Sequence, residues 1–372
     1  MPLSLSLLRP AGAVLALAAV VSTPALGSAA RPDAPARPAL SLAASVTPGV
    51  DVSSVTANPG RFRSLPTRGA AWTSLLRTAN GSLGHVDLAD QNNTNAARTL
   101  AAALVYARTG LTGYRAKAVS QLAAVPNARL GGARVLSVGR QVAGYAIAAD
   151  VVGYRAPAFV SFMSKIRTRY IGNHGRWVRL TQTSEDSGNN WGAWAMASRV
   201  AADAYVNDRA DLARAARVFR GFLGDRSAYA GFHRTSDFDP SWACGSARSW
   251  TPINRDGCGG RSGAVVEDIS RSSGHYPHVD GTGRTYVWET LGGATLTATV
   301  LAGNGYGSVW SWSNRALLRA ARFEASHGGY RPAYSVNQYV PWTINKAYGV
   351  HLGPVSPSAG YGREFGFTDW LG

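Results

Sequence analysis

The chain has 372 residues and a formal net charge of +17, from 38 basic against 21 acidic residues. Two cysteines and seven scattered histidines give no zinc-type spacing, and no helix-turn-helix, RNP or zinc-finger signature accompanies the positive charge. Past the first thirty residues no apolar run is long enough to span a bilayer.

Arg9 followed by the apolar stretch 11–21 and the small residues Ala25, Gly27, Ser28, Ala29 and Ala30 reads as a secretory signal peptide over 1–30. Residues 31–50, rich in Pro, Ala and Ser, read as a flexible leader, which leaves 51–372 as the folded body. Only Lys117, Lys165 and Lys346 are lysines, so the charge rests on arginine, the side chain that forks onto carboxylate or phosphate. For an exported protein this favours an acidic polysaccharide over nucleic acid or a membrane.

The body reads as all-α. Leu100, Leu104 and Ala107 stripe a helix over 99–109 that stops at Gly110, and Thr112 is placed to cap the next, through Tyr114, Val119 and Leu122. A helix from Arg140 to Gly153 follows, then, after an interruption at Pro157, one from Phe159 to Tyr170. Further helices are expected over 190–205, from an Asn207-Asp208 cap to Gly224, over 284–301 and over 309–327. Strand-like alternation shows weakly around 330–342. Successive helical hairpins without a fixed repeat suggest an α/α toroid, an incomplete barrel of hairpins, rather than a solenoid.

Two stretches stand out. Ser187-Gly188-Asn189-Asn190-Trp191-Gly192-Ala193-Trp194 puts two amides at a helix start, where they either cap it or offer hydrogen bonds to an anion near its positive end. Trp191 and Trp194, three apart, form either a sugar platform or core. The segment 225–283 has no helical period and holds His233, His275, His278 and both cysteines; a long irregular stretch of this kind usually serves function. Cys244 and Cys258, with thirteen residues between them, are expected to form a disulfide that pins it.

The 187–194 stretch resembles the Asn-Asn-His/Trp-x-x-Trp motif of the alginate lyase-like polysaccharide lyases. Residues 87–92, 99–107, 139–145, 286–291 and 366–370 are similar to further stretches of that family, in the same order. The resemblance implies an α/α toroid that cleaves 4-linked uronic-acid polymers, such as alginate or glucuronan, by β-elimination without a metal; with the signal peptide, the expectation is a secreted monomer that uses no cofactor. It makes Asn190 the group that neutralises the substrate carboxylate and Tyr286 the acid, with Asn189 sharing the first role or capping the helix. Many members carry a histidine base where this chain has Trp191. Here either Tyr286 performs both proton transfers or a loop histidine substitutes, with His275 preferred. Arg284 either joins the carboxylate site or pairs with Asp280. Arg140, read as opening its helix, either lines the cleft or forms a surface ion pair. Gln91, Asn92, Trp191, Trp194 and His278 complete the expected substrate contacts.

Elimination suits these residue types. The C5 proton of a uronate is weakly acidic, and amides or guanidinium groups on the C6 carboxylate stabilise the enolate-like transition state, while a base and an acid handle H5 and O4. Two other classes stay open. A glycoside hydrolase would need two flanking carboxyls, for which Glu185, Asp186, Glu267, Asp268, Asp280 and Glu289 are available. A non-catalytic protein would bind the polymer without shortening it.

Overall fold

Alanine runs and well-placed glycines shape this chain into helices that approach one another closely. The computed structural model describes residues 59–173, 176–236, 238–246, 248–269, 271, 286–327, 339–353 and 365–371, all within one compact unit. The expected signal peptide and leader, together with His275, His278, Asp280 and Arg284, lie outside the described residues. In order come α1 (Pro59–Ser64), α2 (Ala70–Asn80), α3 (Asn95–Thr109), α4 (Thr112–Ala124), α5 (Val135–Val151) and α6 (Pro157–Ile166). A short antiparallel hairpin follows, β1 (Ile171–Asn173) paired with β2 (Arg176–Val178). Then come α7 (Leu180–Asp186), α8 (Asn190–Val206), α9 (Arg209–Phe222), α10 (Tyr286–Gly303), α11 (Trp312–His327), α12 (Tyr339–Tyr348) and α13 (Thr368–Leu371). The protein is all-α in class, and no described helix is long and apolar enough to cross a membrane.

Helices α3, α5, α8 and α10 form a row of packed neighbours. Against them lie α4 on α3 and α5, α6, α7 and α9 on α8, and α11 and α12 on α10. The circuit returns to its start, because α13 touches both α12 and α2, and α2 packs on α3. There Trp370 sits 5.5 Å from the Trp72 ring and donates through Nε1 to the Pro66 carbonyl at 2.8 Å.

Small residues set the spacing of the row. A Cβ at Gly139 of α5 would stand 3.1 Å from backbone atoms of Trp194 and Ala195, and one at Gly293 of α10 would stand 2.5 Å from the Ala193 carbonyl carbon. These contacts bring the N-terminal parts of α5 and α8 against the middle of α10. Ser198 of α8 then accepts from the Ala143 N–H at 3.0 Å and donates to the Gly139 carbonyl at 2.6 Å, the two α5 groups that would otherwise pair with each other. The α5 and α8 chains therefore run in the same direction.

Several boundaries differ from the sequence reading. Pro157 opens α6 instead of interrupting a helix, as suits a residue with no N–H to leave orphaned. The helix expected to reach Tyr170 ends at Ile166, before the hairpin. Leu111, not Thr112, precedes α4, with no side-chain cap. Arg140 is the sixth residue of α5, not its first, because the apolar run Val135, Leu136 and Val138 already belongs to the helix. Of the weakly strand-like 330–342, Tyr339–Trp342 are helical in α12, and 330–338 lie outside the described residues. The Asn207-Asp208 stop and start is as expected: Asn207 closes α8 in the left-handed region (φ 61°), and Asp208 accepts from the Asp211 N–H at 3.0 Å.

A buried charge network binds the outer helices to α8. Arg199, 1% exposed, bonds Asp211 at 2.5 Å and Glu185 at 2.9 Å. Arg167 bonds Asp203 and, at 2.8 Å, Asp208. Burial and then the Asp211 charge push the Asp203 carboxyl from an ordinary 3.8 up to about 8, against the opposing pull of Arg167. A carboxyl raised in this way holds its proton more tightly folded than unfolded. Its contribution to stability is therefore complete below its unfolded value and is lost as pH rises to the folded one. Asp208, held low by the Asp211 N–H and by Arg167, acts oppositely, losing its contribution only as pH falls into the acid range. We expect the thermal midpoint to fall as pH is raised from about 6 to about 8, and Asp203→Asn, which has no proton to release, to flatten that fall. Equal slopes in calorimetric scans of the two proteins would refute this account of Asp203.

Candidate active site

The irregular segment after α9 docks on the N-terminal end of α8. Ser187 and His233 form a parallel bridge, with the His233 N–H donating to the Asp186 carbonyl at 2.8 Å. Asn254 organises the interior of this segment. Its Nδ2 donates to the Trp242 and Arg261 carbonyls at 2.7 and 2.9 Å, and its Oδ1 accepts from the Cys244 N–H at 3.0 Å. The expected Cys244–Cys258 disulfide is present. Ala243, Trp250 and Val266 form a small apolar cluster of the segment's own, flanked by Phe232 and Phe238.

The glycines of the 187–194 motif make this docking possible. A Cβ at Gly192 would lie 1.8 Å from the Ser187 carbonyl oxygen, and one at Gly188 would lie 2.5 Å from the Trp250 ring. The chain therefore folds back tightly before α8, and the two asparagines are enclosed. Asn189 is the helix cap, its Oδ1 accepting from the Trp191 N–H at 3.1 Å.

Asn190, 1% exposed, is held by two hydrogen bonds. Its N–H donates to Asp268 Oδ2 at 2.7 Å, and its Oδ1 accepts from the Arg271 guanidinium at 2.6 Å. Its Nδ2 is buried with no hydrogen-bond partner among the described residues. Leaving a buried amide N–H unpaired costs on the order of 1–3 kcal/mol, so such a group is usually explained by something it meets.

Asp268 is the hub beneath it. It accepts from the Thr290 hydroxyl of α10 and from Arg271 at 3.2 Å, as well as from the Asn190 N–H. Burial pushes its carboxyl up to about 6, with Arg271 the strongest of the groups that restrain the rise. The Arg271 guanidinium lies 4.4 Å over the ring of Tyr286, the half-buried first residue of α10. One residue before Thr290, Glu289 pairs with buried Arg140 of α5. The cluster thus gathers an amide, a guanidinium and a phenol at the N-terminal ends of α8 and α10, where the helix dipoles favour an anion.

The expected contacts divide. Asn190 and Tyr286 come together through Arg271. Arg140 forms an ion pair, as one of its two expected roles required, but a buried one, with Glu289, and it reaches the Gln91 carbonyl at 3.5 Å. Gln91 is half-buried and Asn92 exposed, on a turn held by Gln141, whose Nε2 donates to the Asp87 and Asp90 carbonyls at 3.0 Å each. Trp194 cannot be a sugar platform. It is wholly buried, because α8 is enclosed by helices on nearly every side, whereas Trp191 is half-buried. Arg271 escaped the sequence reading; the Asp268-x-x-Arg271 spacing, with Glu267 beside it, was its only local signal.

The available carboxyls are largely tied down. Glu185 is bonded by Arg199 and Arg214, Asp268 by Arg271, Glu289 by Arg140, and Glu267 accepts from the Thr235 N–H at 2.6 Å. Among the described residues no group of three or more Asp, Glu, His or Cys could hold a metal ion. Compared with protein-family models and with curated proteins, the sequence matches none.

Proposed function

We propose that this chain is a secreted polysaccharide lyase that cleaves a 4-linked uronic-acid polymer, of the alginate or glucuronan type, by β-elimination on an α/α toroid. The observation that carries the reading is the buried Nδ2 of Asn190, which has no hydrogen-bond partner among the described residues, set beside Arg271 and Tyr286 at the head of α8. The motif resemblance over 187–194 and 286–291 points to the same residues. The closed circuit of helix contacts and the arginine-rich charge agree with it.

In this reading the C6 carboxylate of the substrate takes the Nδ2 hydrogen bond of Asn190 and pairs with Arg271. Both strengthen as the C5 proton leaves and charge gathers on the carboxylate oxygens. Asp268 is a positioning residue: it anchors the Asn190 backbone and the Arg271 side chain, and its own charge is tempered by burial. The Tyr286 hydroxyl protonates O4 as the bond breaks. H5 goes to a loop histidine, of which His275 is the preferred candidate, or to the Tyr286 oxygen, which then passes that same proton to O4. Trp191 stands where a basic imidazole would be needed and cannot accept the proton. The ion-paired state of Glu185, Glu289 and Asp268 favours elimination over hydrolysis by paired free carboxyls.

The test is a screen of alginate, polymannuronate, polyguluronate, glucuronan and hyaluronan, following both chain length and the ultraviolet absorbance of an unsaturated uronate end. We expect absorbance to rise with at least one uronan. Shortening without absorbance would make the protein a hydrolase, and binding without shortening would make it a non-catalytic binder.

A further inference from the structure

The docked segment carries a second feature that the proposed chemistry does not use. An open concavity of about 740 Å³ is lined, among the described residues, by Arg226, Arg234, Arg248, His233 and six others, none of them a carboxylate. Arg226 is structural, donating to the Trp250 and Arg248 carbonyls at 2.8 and 3.0 Å. Arg234 and Arg248 differ: both are exposed, and among the described residues no carboxylate pairs with either. The Arg234 guanidinium rests 5.4 Å over the Phe238 ring, which meets Trp250 edge-on at 5.2 Å, so the cation is steered by an aromatic wall. His233 is 78% exposed on its side chain.

This concavity adjoins the Asn190 cluster. Trp250 packs against Gly188, His233 bridges Ser187, and the Thr235 N–H bonds Glu267, the neighbour of Asp268. Two cation-lined places joined by such short links suit a ligand with negative charges repeated along its length. A lone small anion would need only one of them.

We propose that the Arg234/Arg248 concavity is a second anion subsite, which binds a carboxylate of the same polyuronate chain at a sugar unit away from the one held by Asn190 and Arg271. This rests on the uronan reading given above. The subsite makes the protein prefer long substrates: each further charged sugar held there adds affinity through charge-assisted hydrogen bonds, without touching the reacting bond.

The experiment measures anisotropy of fluorescently labelled oligomannuronate and oligoglucuronate, as disaccharide and hexasaccharide, in parallel with their cleavage. The proteins are the parent, Arg234→Gln/Arg248→Gln, and Asn190→Ala. We expect the hexasaccharide to bind the parent more tightly than the disaccharide. The double variant should lose about ten-fold in hexasaccharide affinity, with disaccharide binding and cleavage kept. Asn190→Ala should keep the length preference while losing cleavage. A double variant with the parent's hexasaccharide affinity would overturn the subsite and leave the lyase reading standing. Hexasaccharide binding that depends on the two arginines, with no cleavage by the parent, would sustain the subsite and remove the lyase reading. No binding of either oligouronate by the parent would remove both.

Discussion

Asn190→Ala is expected to lower turnover on the uronan substrate by roughly 10²-fold or more, the scale on which one oxyanion-type donor contributes. The variant should remain folded, because the contacts that hold this stretch belong to other atoms. The α8 cap is Asn189, the bond to Asp268 uses the backbone N–H of residue 190, and the fold-back depends on Gly188 and Gly192. What the substitution removes is the Arg271 contact and an Nδ2 that has no partner among the described residues. Losing the first, a bond to a charged group, costs about 1.5–3 kcal/mol of stability; losing the second relieves a buried donor. A companion Asn190→Asp keeps the shape and Arg271's partner while placing a negative charge where the substrate carboxylate must sit, so it should be as inactive as the alanine variant. Circular dichroism and ultraviolet-detected kinetics on both variants decide the matter. Near-parental turnover in the folded fraction of either would show that Asn190 is a structural residue only.

Tyr286→Phe should cut turnover by about 10² to 10⁴-fold, the range for a lost general acid. The substitution keeps the ring over which Arg271 lies, so the cation–aromatic contact and the guanidinium position survive. Substrate affinity should change little, which separates a proton-transfer role from a binding one. The sharper readout is the leaving group. A substrate whose leaving oxygen needs no protonation should recover much of the lost rate with Tyr286→Phe and little of it with Asn190→Ala. Normal turnover by Tyr286→Phe would end the assignment of Tyr286 as acid and direct attention to the loop histidines.

The way these residues are arranged shows where sequence reasoning reaches its limit. The amide pair at 189–190 was visible, but not its division of labour. Two adjacent asparagines at a helix start look alike, and only the fold-back at Gly188 and Gly192 decides which one caps and which one faces the cluster. The tryptophans invited a platform reading because three-residue spacing puts side chains near one face. That spacing does not say how many helices surround the face, and five of them pack against α8. Arg140 illustrates the same gap from the other side: its partner Glu289 lies 149 residues away, beyond anything a local pattern can report.

By itself the sequence determined the helical class, the stop and start at Asn207 and Asp208, the irregular course of the described residues after α9, and the pairing of the two cysteines there. These follow from local physics: side-chain periodicity, capping chemistry, and the presence of only one possible cysteine partner. Only the tertiary structure decided that Asp268 and Arg271 stand under Asn190, 78 and 81 residues apart in the chain, and that Trp194 is core. Those outcomes depend on which helices stack and how closely. The small residues Gly139, Ala193 and Gly293 permit that approach, and the partners each helix end meets follow from it.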